Sequence, residues 1–172
     1  MFRNCFALFT AIFIGFATII GMALADVPTA ATGKLAIVDF SYIDSSQEQL
    51  DQSAAHKKRV ETLMTALRQD IVAGGQFNIV PVSCGATPCA TDSTTPEDLL
   101  RSVSDAGANI LILGSIHKQS TLIQWMKVSA IDVSANRVIL DRLFTFRGDN
   151  DEAWKRAETF VSQEIRTVLA AR

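Results

Sequence analysis

Side chains able to do chemistry are sparse in this chain, which has two histidines and three cysteines among its 172 residues. The stretch "GSIHKQSTLIQW", Gly114 to Trp125, places His117 beside Lys118 and close to one of the two tryptophans. An imidazole can work as a general acid or base when a carboxylate orients its ring, and Asp39 and Asp149 are the acids that the expected fold brings within reach. A hydrolase-type activity resting on Asp39 and His117 is therefore the enzymatic remainder of the reading. A polar pair closing a strand is otherwise a solvated or partner-binding surface. His56 follows "DQSAA" at a helix start and is read as a surface residue without a role.

The frames that position nucleophiles and phosphates are missing: the chain has no G-x-S-x-G, no G-x-x-x-x-G-K-[ST] and no G-x-G-x-x-G. Two histidines and one close cysteine pair argue against a zinc site. "RGDND" lacks the spacing of a calcium loop and is read as the run-in and cap of the last helix. Neither a metal nor a cofactor is expected.

Cys84 and Cys89, in "SCGATPC", form an even pair, which in an oxidising compartment reads as a structural disulfide. Redox or metal use is the alternative, weakened because a redox pair is usually C-x-x-C at a helix start. The compartment is indicated by residues 1–25, with Arg3, a long apolar run and an A-x-A ending at Ala25. They read as a signal peptide cleaved before Asp26, or alternatively as an uncleaved anchor facing the periplasm. Cys5 precedes the apolar run and is not placed for lipid attachment. A linker, 26–33, then leads into one domain, 34–172, in the periplasm or outside the cell. The mature part keeps a net charge near −3 and has no basic stripe, which speaks against nucleic-acid binding; no membrane span is expected after cleavage.

The elements that must position these residues follow from periodicity and punctuation. "KLAIVDF" (34–40) reads as a buried strand, and 41–54 as a loop long enough to be functional. Val60, Leu63, Met64, Leu67 and Ile71 recur at helical spacing over 56–73. "QFNIVPVS" (76–83) is a strand kept to a sheet edge by Pro81. Thr95, Pro96 and Asp98 start a helix that Gly107 ends. Strands over 108–118, 121–133 and 138–147 precede a last helix starting near Asn150 or Asp151.

The class is α/β, a β-α-β-α-β-β-β-α domain with a mixed five-stranded sheet of order 2-1-3-4-5 and helices on both faces. Ligands of such sheets collect at the carboxyl ends of the strands where the chain reverses its winding. That edge would carry Asp39, Tyr42, His117, Lys118, Arg147 and Asp149, with the Cys84–Cys89 loop nearby. A turn at Gln119-Ser120 would set Gly114 opposite Trp125, the indole lying across the bare glycine.

The residues from "ANILILGSIHKQSTLIQW" through "RGDNDEAWKRAETFV" resemble a family of small bacterial secreted proteins of unknown function. In that family a glycine-x-isoleucine-histidine-lysine hairpin precedes a "STLIQW" strand and an "RGD-x-DEAW" helix start. More distantly, the strand ending in Gly-Ser, the "IDVSANRV" hairpin and the closing helix are similar to the TolB amino-terminal domain and its CsgG and LpoB relatives. The resemblance implies an envelope protein that works by docking other proteins, and it supplies no catalytic residue. The expected function is thus a non-catalytic periplasmic accessory protein that docks an envelope protein through the edge above. The alternative is a small-molecule binder using the crevice between the first and third strands.

Overall fold

The computed structural model describes residues 33–171 apart from 86, 90 and 93, so the expected signal peptide and nearly all of the linker lie outside the described residues. In chain order the elements are β1 (Gly33–Ile37), β2 (Ser41–Asp44), α1 (Ser53–Val72), β3 (Phe77–Ile79), β4 (Ser83–Cys84), β5 (Thr87–Pro88), α2 (Pro96–Asp105), β6 (Ile110–Lys118), β7 (Ile123–Asp132), β8 (Arg137–Arg147) and α3 (Asp151–Ala170). The main sheet runs β3-β1-β6-β7-β8 and β2 also pairs with β6, so it has six strands where five were expected. β3, β1, β2 and β6 are parallel, and β7 and β8 are antiparallel. β4 and β5 form a separate small hairpin whose ends are tied by the Cys84–Cys89 disulfide.

Alternation along the strands divides the interior into two layers. Leu35, Ile37, Ile110, Ile112, Ile116, Met126 and Val128 point to an inner face, where they pack on Leu63, Met64, Leu67 and Ile71 of α1 and on Trp154, Val161 and Ile165 of α3. Ala36, Val38 and Leu111 point to the outer face and meet Leu99 and Val103 of α2. The helices cover both faces for that reason. Local chemistry fixes their starts: Thr95 caps α2 by accepting from the Asp98 N–H, and Asn150 caps α3 by accepting from the Ala153 N–H.

The first strand departs from its expected course. Ile37 pairs with Ile112 while Ser41 pairs with Ser115, so three residues of one chain, 38–40, span the two residues 113–114 of its neighbour. This one-residue bulge exchanges the faces of every later side chain. Phe40, Tyr42 and Asp44 consequently follow Leu35 and Ile37 to the inner face, and residues 41–44, expected as loop, extend the sheet.

The β6–β7 hairpin also differs in register. Its turn is longer than Gln119-Ser120, and Gly114 faces Val128 while His117 faces Trp125. Gly114 is required by the bulge instead of by the indole. A Cβ there would lie 2.5 Å from the Lys127 carbonyl oxygen and 2.8 Å from the Phe40 ring.

Candidate functional site

A buried ionic cluster occupies the inner face at the carboxyl ends of β2 and β6. Lys118 is the last residue of the inward row Ile112, Gly114, Ile116, Lys118, and its side chain is 0 % exposed. Its ammonium donates to Asp149 Oδ2 and Glu48 Oε2, each at 2.7 Å, with Asp44 Oδ2 at 3.8 Å. Asp149 is 9 % exposed and gathers three further donors. His56 Nε2 reaches it at 2.8 Å, Arg59 Nη1 at 2.9 Å and Gln124 Nε2 at 3.4 Å. Gln52 also donates to Glu48, which ties the 45–52 segment to the cluster.

Burial alone would drive these groups towards neutrality, and the partners reverse it. Lys118 is desolvated, yet its hydrogen bonds to Asp149 and Glu48 raise its pKa above the ordinary lysine value. Burial likewise pushes Asp149 up, but hydrogen bonds from Lys118 and His56 hold its carboxyl below the usual range. For Asp44 the hydrogen bonds from Ser46, then the charges of Lys118 and His56, outweigh desolvation and lower its pKa. Tyr42 covers the cluster, its ring 4.8 Å from His56 and 5.9 Å from Trp154. Burial and then the charges of Asp44 and Asp149 raise its hydroxyl pKa.

Beside the cluster lies a cavity of about 720 Å³ between β2, the 45–52 segment and α1, lined by Asp39, Tyr42, Asp44, Glu48, Leu50 and Arg68 among others. Tyr42 Oη and Glu48 Oε1 are buried and have no hydrogen-bond partner among the described residues. Among the described residues no group of three or more His, Cys, Asp or Glu is placed to hold a metal ion.

Of the six candidate residues, Tyr42, Lys118 and Asp149 meet in this cluster. Lys118 and Asp149, expected on a docking edge, are sealed inside because β6 and the Gly148 turn deliver them to the inner face. Asp39 sits in the bulge, where Arg68 Nη2 donates to it at 2.6 Å, and it only lines the cavity. His117 points to the opposite face from Lys118, as neighbouring strand residues must. Its Nε2 lies 2.8 Å from Ser45 Oγ, its Nδ1 3.0 Å from Gln119 Nε2, and its ring meets Trp125 edge-on at 5.9 Å. Neither Asp39 nor Asp149 is bonded to it, so the acid–base pair considered from the sequence is not assembled. Arg147 is exposed opposite Ile123.

His56 is the main correction, being 2 % exposed instead of on the surface. α1 begins three residues earlier than expected, and His56 lies four residues before Val60 and seven before Leu63, on the apolar stripe. That spacing is the signal by which His56 could have been found. Arg59, Glu48 and Gln124 carried no comparable mark.

Beyond the cluster, Ile43 (54 % exposed), Leu122, Ile123 and Trp125 (37 % exposed) stand unburied at the same end of the molecule. Ile43, His117 and Trp125 are successive partners across β2, β6 and β7 on the outer face. No helix among the described residues is long and apolar enough to cross a membrane.

Solved structures share the fold. TolB from Acinetobacter baumannii matches with TM-score 0.50 and 20 % identity over 86 % of this chain, which spans only 30 % of that protein. The hypothetical protein CT253 from Chlamydia trachomatis matches with TM-score 0.55 and 14 % identity, covering 81 % of this chain and 99 % of that one. The PelC dodecamer from Paraburkholderia phytofirmans matches with TM-score 0.50 and 13 % identity, covering 83 % and 91 %. These likenesses establish a TolB-like α/β fold. No curated protein is significantly similar in sequence. The family model DUF3280, described as "Protein of unknown function (DUF2380)", matches residues 33–165, and the chain belongs to that family.

Proposed function

We propose that the protein is a non-catalytic accessory protein of the bacterial envelope, exported by its N-terminal leader, that docks a protein partner at the carboxyl ends of its strands. The observation that carries this reading is the uncovered outer patch of Ile43, His117, Ile123 and Trp125, bordered by Arg147. An apolar centre with an aromatic anchor and a cationic rim is the anatomy of a docking surface. The sealed cluster behind it supports the non-catalytic part: the ammonium of Lys118 is saturated by two carboxylates, and His56 is held by Asp149. Such groups set the shape of the 45–52 segment, and their polar atoms are already engaged with one another. The resemblance to envelope proteins that dock other proteins points the same way.

The test is photo-crosslinking in cells, with a benzophenone amino acid at Ile123 or, as a control on the opposite side, at Arg166. A discrete adduct from position 123 alone, weakened by His117→Ala or Arg147→Ala without a change in melting temperature, is the expected result. Equal labelling from both positions, or none, would count against the reading.

A second reading is favoured by the unpartnered Tyr42 Oη and Glu48 Oε1 beside the 720 Å³ cavity, where a small polar molecule would find an acceptor and a donor. Trp154, whose ring lies 5.9 Å from Tyr42, would report it; Trp125 is on the other face. A metabolite screen that leaves both Trp154 emission and melting temperature unmoved removes this reading.

A further inference from the structure

We propose that the free edge of β8, together with the groove between it and α3, receives an extended peptide segment of a protein partner in which apolar and acidic side chains alternate. Among the described residues β8 is the last strand of the sheet and, at 11 residues, its longest. Its pairing with β7 shows which backbone groups are free. The Gly148 N–H donates to the Leu122 carbonyl at 3.0 Å, and antiparallel pairs alternate between bonded and open. Phe144 and Phe146 therefore turn their N–H and C=O groups towards β7, while Leu143, Thr145 and Arg147 turn theirs away from the sheet. A strand laid alongside would complete these bonds.

The groove supplies the second element. A cavity of about 540 Å³ is lined by all five residues from Leu143 to Arg147. The cavity runs from the inner face, where Met126 and Val161 line it, along the whole 143–147 stretch of the edge strand. Its far wall is α3, with Ala153, Ala157 and Phe160. Phe160 is 54 % exposed and meets Phe144 edge-on at 5.8 Å, an apolar step that inward side chains of an added strand would cover.

Charge selects the occupant. Among the described residues the charged ones lining the groove are Arg147 and Arg156, the latter also paired with Glu152 at 3.3 Å, while Arg137, Asp141 and Arg142 lie further along the same strand, Arg142 paired with Glu164. A long apolar edge without a charged or covered flank is an association hazard. Here the arginines discourage basic or purely apolar strands and favour carboxylates at alternate positions. This site shares Arg147 with the border of the outer-face patch, but changes at Thr145, Arg156 or Phe160 leave every residue named in that patch in place.

The experiment is fluorescence anisotropy with the purified protein and a labelled heptapeptide alternating glutamate with valine and phenylalanine. Binding about tenfold tighter than that of the lysine-for-glutamate peptide is expected from two rim charge pairs. Thr145→Pro removes an outward donor and leaves the β7 ladder alone, so it should abolish binding with little change in melting temperature. Phe160→Asp, on an exposed helix position, gives the same readout should the proline variant fail to fold. Arg156→Glu, which leaves Arg147 opposed by an acid, should erase the preference between the two peptides. Equal binding of both peptides, or full binding by Thr145→Pro or Phe160→Asp, overturns the proposal. So does a concentration-dependent dimer that the acidic peptide cannot disrupt, since the edge would then pair with a second copy.

Discussion

Replacing Lys118 by methionine keeps the length of the side chain and removes its charge. Asp149 would retain His56, Arg59 and Gln124 as donors, so its loss is partly cushioned. Glu48 has less in reserve: its side chain is 18 % exposed and, among the described residues, its Oε2 keeps only Gln52 and its Oε1 already lacks a partner. Breaking a buried pair by removing one member costs about 3–5 kcal/mol, and the cushioning of Asp149 places this variant near the lower end, at about 3 kcal/mol. For a domain of this size that corresponds to a melting temperature lower by roughly 10 °C. Urea denaturation followed by Trp154 emission measures it. Adding Glu48→Gln to the variant should restore about 1 kcal/mol, because the stranded carboxylate is then neutral. Since the pKa of Lys118 is raised, its pairing stabilises the fold fully below the ordinary lysine pKa near 10.4 and is lost as pH climbs through the higher folded value. The wild type should therefore show an alkaline loss of stability that Lys118→Met lacks. A cost below about 1 kcal/mol, or one that disappears in molar salt, would mean that the ammonium reaches solvent and that the cluster is not sealed.

Two other perturbations test the framework around the site. Gly114→Ala sets a methyl group against the Lys127 carbonyl and the Phe40 ring, and should cost about 1–3 kcal/mol in chemical denaturation. Glu158, 3 % exposed on α3 and facing Asp70 of α1, has its pKa pushed up from 4.5 to about 7 by burial and then by the Asp70 charge, with Lys58, Arg59 and Lys155 lining the same cleft. A raised acid favours the fold while protonated, so stability should fall by about 3 kcal/mol as pH rises from roughly 4.5 to 7. Glu158→Gln should flatten that slope and be the more stable form at pH 8, as equilibrium unfolding at pH 5 and pH 8 would reveal.

Local punctuation made much of the fold legible. α2 is announced by Thr95, Pro96 and Asp98, and the buried strands by unbroken apolar runs, because those signals act over a few residues. β2 was not legible, since "SYID" is polar enough to pass for loop and is a strand only because β6 offers it a partner. The hairpin register is hidden from the sequence for a related reason. Gly114 looks like a seat for an indole until Phe40, distant in sequence, arrives across the bulge. Three of the six candidate residues, Tyr42, Lys118 and Asp149, do meet, but the sequence placed them on the surface. A lysine ending an apolar strand is normally solvated. Only the tertiary arrival of Glu48 from the loop and Asp149 from beyond β8 allows it to be buried.

The bulge at residues 38–40 makes the site depend on a count of residues as well as on their identity. Shortening that segment by one residue would leave the composition of β2 almost untouched and still let it pair with β6. It would, however, turn Ile43 into the interior and send Tyr42 and Asp44 to the opposite surface, uncovering Lys118 and emptying the outer patch of one of its apolar members. Insertions and deletions here would be far more damaging than substitutions, so a relative that keeps every side chain of the cluster but lacks one residue between Ile37 and Ser41 would have lost the cluster all the same.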